Sequence, residues 1–210
     1  MRIEFIIPAN LCLEDIQSTL QKNNRILTEP SQTVCRTYYD SFDWRLYLND
    51  SLLEDTRDGN EHTVVWRTLK GEPCCPPLKL RDAPRFVREL PPGQFRSLLG
   101  PVLEMRELAP RVRIRSRVHK LRILNKDEKT VARLLIGENS LPRQQGTRAV
   151  KLDNRATLVP VKGYPKPCRA IANHLEQLGL TVEQDDIMLA ALSIIGATPG
   201  NYSSKLDLTL

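Results

Sequence analysis

Nine consecutive residues, Arg111-Val112-Arg113-Ile114-Arg115-Ser116-Arg117-Val118-His119, alternate cations with apolar or small side chains. Successive side chains on a strand point to opposite faces. Arg111, Arg113, Arg115, Arg117 and His119 therefore share one face, and Val112, Ile114, Ser116 and Val118 share the other. Same-face neighbours stand roughly 6.6–7 Å apart. Four guanidinium groups at that spacing repel one another unless water or anions lie between them. Arginine suits phosphate because its planar fork donates two parallel hydrogen bonds. Each such bond contributes about 1.5–3 kcal/mol. The chemistry to expect is phosphate capture; the bland alternative is a solvated basic face paired with acids on a neighbouring strand.

The charge around this ladder is concentrated. From Arg106 to Arg133 there are ten Lys or Arg against three acids, Glu107, Asp127 and Glu128, an excess larger than the +6 of the whole chain. Lys129 and Arg133 stand on the hairpin partner of the ladder strand and extend the same wall. Lys70 ends one further strand, in Trp66-Arg67-Thr68-Leu69-Lys70, and Lys162 ends another, in Val161-Lys162-Gly163. The expected phosphate-binding set is thus Lys70, Arg113, Arg115, Arg117, Lys129, Arg133 and Lys162. Arg113, Arg115 and Arg117 are expected to point inward and to converge with Lys70, Arg133 and Lys162.

The elements that must position these residues are mostly strands. Residues 2–7, 32–40, 51–57 and 62–70 read as strands, with Asp58-Gly59 as a hairpin turn. Residues 111–124 and 129–136 form a long hairpin around Asn125-Lys126-Asp127-Glu128. A further hairpin is expected over 145–162, turning at Asp153-Asn154. Helices are expected over Leu13–Gln21, Gly93–Glu104, from Pro165 to Leu178 with Gly179 as its stop, and over Glu183–Ile195. Many antiparallel strands with few helices predict a closed barrel, which removes sheet edges.

Bulk properties narrow the field. The apolar fraction is 40% and the aromatic fraction 5%, so the core must come from Leu, Ile and Val. The five cysteines, Cys12, Cys35, Cys74, Cys75 and Cys168, are odd in number and scattered, which argues against a disulfide framework or a zinc site. The start of the chain has no signal-peptide pattern. No stretch approaches the roughly 20 apolar residues of a membrane span. Basic strands with few aromatics give no stacking platform for single-stranded nucleic acid, so nucleic acid is not expected as a partner. The expected location is the cytoplasm.

Several segments together resemble a known family. Tyr38-Tyr39-Asp40-Ser41-Phe42-Asp43, Thr68-Leu69-Lys70-Gly71 and Arg113-x-Arg115 are similar to motifs of the CYTH superfamily, the triphosphate tunnel metalloenzymes. Glu128 to Leu134, Val159 to Tyr164 and Ser204 to Leu208 look like segments of the CYTH-like domain that precedes a CHAD domain. The resemblance implies an α+β fold: an eight-stranded antiparallel barrel forming a tunnel, with peripheral helices. It implies a barrel domain over 1–196 and a linker over 197–210 leading to a downstream CHAD domain. The implied partners are polyphosphate or another phosphate-rich anion, with association to polyphosphate granules.

The chain departs from the family where the chemistry lies. The family's E-x-E-x-K on the first strand corresponds to Arg2-Ile3-Glu4-Phe5-Ile6, so only Glu4 remains as an implied metal ligand. The basic L-R-x-R strand corresponds to Leu52-Leu53-Glu54-Asp55-Thr56, which is acidic. The late E-x-E is absent from Leu158-Val159-Pro160-Val161. Metal-assisted phosphoryl transfer needs several oxygen ligands converging on a hard cation. The expected function is phosphate-chain binding without turnover, with no firm cofactor. The alternatives are a magnesium- or manganese-dependent triphosphatase using Glu54, Asp55 or Glu138, and a structural module that positions a CHAD domain.

Overall fold

In a computed structural model, residues 2–58, 61–142 and 149–201 are described. Eleven strands form one antiparallel sheet with five helices around it. The strands are β1 (Ile3–Ile7), β2 (Arg25–Thr28), β3 (Gln32–Asp40), β4 (Ser51–Asp58), β5 (Glu61–Thr68), β6 (Leu78–Leu80), β7 (Ala109–Leu124), β8 (Thr130–Leu141), β9 (Val150–Lys151), β10 (Asn154–Pro160) and β11 (Thr181–Glu183). The helices are α1 (Leu13–Gln21), α2 (Arg45–Leu48), α3 (Gln94–Leu103), α4 (Pro165–Gln177) and α5 (Ile187–Ile194). Their main path runs β11-β1-β10-β8-β7-β3-β4-β5-β6, with β2 added to β7 and β9 to β8.

The α+β class is as expected; the closed eight-stranded barrel is not what the pairing gives. The path ends at β11 and β6, which do not pair with each other among the described residues. Both are three residues long, and very short strands are one way a sheet blunts its edges without closing. The hairpin expected over 145–162 is also replaced. Within its described part, β9 pairs with β8 through Ser140↔Lys151, and β10 pairs with β8 and β1. The helix expected from Glu183 begins later, because Val182 and Glu183 pair with β1 and Asp186 caps α5 by accepting from the Met188 N–H. Gly59, the segment 143–148 and Ser204 to Leu208 lie outside the described residues.

The chain divides into two compact units, one made of residues 1–34 and 115–184, the other of residues 35–114 and those from Asp185 on. In the first unit α1 and α4 cover one sheet face. Ile16, Leu20, Ile171 and Leu175 pack on Phe5, Leu121, Leu134, Ala156 and Leu158, all fully or nearly fully buried. Each such aliphatic side chain contributes about 1.5–3 kcal/mol by leaving water. The turn between β7 and β8 is built by Asn125, whose side-chain oxygen accepts from Asp127 N and Lys129 N, with Glu128 in the left-handed region. In the second unit α3 and its preceding loop cover β4 and β5. Leu53, Val64 and Trp66 meet Leu90, Phe95, Leu99 and Leu103.

Strand β7 changes its buried side along its length. Val112, Ile114 and Ser116 are buried in its first half, whereas Leu121 and Ile123 are buried in its second. The ladder with β8 runs without a shift from Arg115 to Ile123. Within that stretch Ser116 and Leu121 are buried on opposite faces of one regular ladder.

Candidate functional site

Register decides which side chains share a face, because directly paired residues on neighbouring strands point the same way. On the first unit's sheet, the face turned away from α1 and α4 carries three rows. One runs Leu27, Arg122, Arg133, Val159. The next runs Lys120, Leu135, Thr157, Glu4, Glu183. The third runs Val118, Gly137, Arg155, Ile6, Thr181. The polar residues of this face are four cations, two threonines and two carboxylates, Glu4 and Glu183, the last two at its β11 side.

Arg122 and Arg133 are directly paired. Like charges placed so are destabilising. Arg122 Nε lies 3.4 Å from a Glu29 oxygen, yet that buried nitrogen makes no hydrogen bond. Arg133 is exposed. Lys120 donates to the Gln32 side chain. Lys129 precedes β8, and Lys162 follows β10 by two residues. Since Ala132 pairs with Pro160, both lysines come to the same sheet end as Arg133.

Glu4, the implied metal ligand, is held by arginines. Arg2 donates to Oε1, and Arg155 Nη1 stands 3.5 Å from Oε2. On β10 the positions sharing this face are Arg155, Thr157 and Val159, none of them a carboxylate. Among the described residues no three of His, Cys, Asp and Glu come together as metal ligands. A divalent hard cation needs several converging oxygens, and a carboxylate flanked by two guanidinium groups does not fit that need. The three carboxylates considered as substitutes have cationic or imidazole partners too. Glu54 takes Arg67 at 3.1 Å, Asp55 takes His62 Nδ1 at 3.2 Å, and Glu138 takes His119 Nε2 at 3.3 Å.

The arginine ladder is divided by this geometry. Arg113, Arg115 and Arg117 are exposed, opposite the buried Val112, Ile114 and Ser116. Arg117 pairs with Glu138 and therefore lies on the helix-covered face of the first unit, not on the face of Arg133. The expected convergence of Arg117 with Arg133 is not formed. The ladder alternates as expected, but the β7 cations that share the face of Arg133 are Lys120 and Arg122, five and seven residues beyond Arg115 and of opposite parity. The missed signal was the apolar pair Leu121 and Ile123, whose parity contradicts that of Val112 and Ile114.

In the second unit, Arg113 is a neighbouring charge for Tyr39, whose hydroxyl is pushed up in pKa by burial and the Asp55 charge despite that arginine. Lys70 is exposed in the turn after β5, where Gly71 takes φ 87°. Arg111 is structural. It lies 4.6 Å over the Trp44 ring and donates to the Ser41 carbonyl. Arg67 is enclosed by two acids, with Nη2 3.1 Å from Glu54 and 2.5 Å from Asp186. Asp40, from the Tyr-Tyr-Asp motif, is buried and accepts from the backbone N–H groups of Ser41, Leu46 and Tyr47. Burial pushes its pKa up against those three bonds.

No family model and no curated protein matches the chain. Solved structures do. A candidate adenylate cyclase from Vibrio parahaemolyticus superposes with a TM-score of 0.54 at 7% identity, covering 94% of this chain and 97% of the other. One from Bacillus halodurans gives 0.51 at 8% identity over 100% and 96%. A Hippeastrum candidate adenylyl cyclase, described as having a dominant triphosphatase activity, gives 0.51 at 9% identity over 96% and 99%. At these identities the likeness is one of fold alone. Among the described residues no helix is long and apolar enough to cross a membrane.

Proposed function

We propose that this chain binds phosphate chains, polyphosphate or the triphosphate part of a larger molecule, and does not hydrolyse them. The observation that carries this reading is the direct cross-strand pair Arg122–Arg133. Two guanidinium groups side by side on a polar face cost stability when nothing lies between them. A phosphate chain between them turns that repulsion into charge-assisted hydrogen bonds of about 1.5–3 kcal/mol each. Lys120, Lys129 and Lys162 extend the positive surface.

Absence of turnover follows from the company Glu4 keeps. Its carboxylate is neutralised by Arg2 and Arg155, and its face of β10 offers threonine and valine. The Hippeastrum neighbour's triphosphatase activity supports the triphosphate as ligand class for the fold, and makes hydrolysis the reading to test against.

Calorimetric titration with tripolyphosphate, with and without magnesium, separates the readings. Binding of equal strength in both conditions, with no phosphate released, is the expected result. Magnesium-dependent phosphate release would establish the triphosphatase instead. No binding in either condition would leave a structural module.

A further inference from the structure

The helix-covered side of the first unit contains a cavity of about 530 Å³, within the range typical of small-molecule sites. The segment Ala9–Ile16, which leads into α1, forms one wall. The sheet forms the other, in three successive rows. Arg115 pairs with Ser140 and Ser140 with Lys151; Arg117 pairs with Glu138; His119 pairs with Ile136. Arg117, Lys151, His119 and Glu138 all line the space, together with Ile7, Leu13 and Ile136.

The charges are unevenly satisfied. Glu138 is engaged by His119 at 3.3 Å. Glu14, at the first turn of α1, is held low in pKa chiefly by its own backbone N–H and by the Cys12 thiol. Arg117 reaches only the Ser31 hydroxyl, at 3.4 Å, and among the described residues neither Arg117 nor Lys151 has a carboxylate partner. Two cations in search of an anion therefore border a cavity whose remaining walls include aliphatic side chains.

We propose that this cavity is a second binding site, on the opposite sheet face from the Arg122–Arg133 pair, for a small organic anion with one acidic head and a short apolar body. The head, carboxylate or phosphate monoester, bonds to Arg117 and Lys151. The body lies against Ile7, Leu13 and Ile136. A phosphate chain is the wrong ligand here, because most of its charges would be desolvated against aliphatic carbon without partners.

The test is an amide-resolved NMR titration of the whole chain with hexanoate, hexyl phosphate, acetate and hexylamine. Saturable shifts at the amides of Leu11 to Ile16 are expected with hexanoate, with hexyl phosphate, or with both. Saturation by one alone names the head group. Acetate should bind at least about tenfold more weakly than hexanoate, since each buried methylene is worth several-fold in affinity. Arg117→Gln and Lys151→Gln should each weaken the anion by about tenfold, the loss of one charge-assisted bond. Both are exposed substitutions that leave the core alone. Tripolyphosphate affinity should be unchanged by Lys151→Gln, which separates this site from the phosphate-chain face. The proposal is overturned by equal binding of hexylamine, by no saturation with either anion, by unchanged affinity in R117Q, or by shifts at Arg122 and Arg133 in place of the α1 segment.

Discussion

Arg122 on β7 and Arg133 on β8 face each other directly across the ladder, on the sheet side that α1 and α4 leave uncovered. A structural role would put an acid or an apolar residue at one of these positions. Replacing Arg133 by Thr, a good strand former, should raise stability by roughly 0.2–1 kcal/mol, because it removes a like-charge pair. The same change should weaken tripolyphosphate binding by about tenfold or more. Thermal unfolding with and without tripolyphosphate reads both effects at once. A variant that is less stable and binds equally well would show the pair to be structural.

Arg67 and Asp186, both buried, form with the partly buried Glu54 a triad that fastens the start of α5 to β4 and β5. Breaking a buried ion pair leaves a charge uncompensated and costs about 3–5 kcal/mol. Arg67→Met should fall in that range by denaturant unfolding. The combination R67M/E54L/D186S should recover much of the loss, since serine still caps α5 and no charge is left buried. Recovery of nothing would mean that the arginine acts through packing alone.

The same triad predicts an acid limb. Burial pushes the Asp186 carboxyl up, but the Arg67 charge and the Met188 N–H outweigh it and hold the pKa below the ordinary value. A depressed carboxylate contributes stability that is complete above its unfolded pKa of about 3.9 and is lost as pH falls through the lower folded value. Stability of the wild type should therefore drop below about pH 4 more steeply than that of D186N. Parallel curves for the two proteins would remove Asp186 from the acid response.

Asp40 shows why a motif can be legible and its role not. The run Tyr38-Tyr39-Asp40-Ser41 carried much of the family resemblance, and its aspartate invites a reading as a metal or substrate ligand. Instead its two oxygens collect three backbone N–H groups around the turn into α2. Asp40→Ala should cost at least about 2 kcal/mol, because buried donors lose their acceptor, and should leave tripolyphosphate affinity unchanged. Asp40→Asn, with one oxygen left, should cost less. An affinity loss larger than the stability loss would place Asp40 in the site.

Local patterns carried most of the elements. Leu13, Ile16 and Leu20 placed α1, and Gly179, at φ 104°, ends the α4 segment as its sequence suggests. The Asn125 turn joined β7 to β8 as read. Three features were not local. Short edge strands β6 and β11 depend on their partners for their existence and have no periodicity of their own. The open path of the sheet depends on which strands meet, which composition does not encode. The burial of Ser116 and Leu121 on opposite faces of β7 depends on what packs against each, which is not local. Leu121 and Ile123 carry the decisive parity, opposite to that of Val112 and Ile114.

Glu4 provides the most direct test of why turnover should be absent. Its face holds Thr157 beside it, Val159 one row away, and Arg2 as the cation that occupies its Oε1. On the proposed reading, the face lacks the further carboxylates that a divalent cation would need. The variant R2E/T157E/V159E would place three further carboxylates on the same patch and remove one of the two guanidinium groups that neutralise Glu4. Oxygen ligands of that number and charge bind divalent cations at millimolar concentration or below in ordinary sites. Manganese titration followed by electron paramagnetic resonance should show binding with a Kd below about 1 mM in the variant, and none in that range in the wild type. Adding Arg155→Gln should tighten it further, because the remaining guanidinium, 3.5 Å from Glu4, repels the ion. Equal manganese binding by wild type and variant would mean that the cation site never depended on these positions, and the account of Glu4 as a neutralised carboxylate would be wrong.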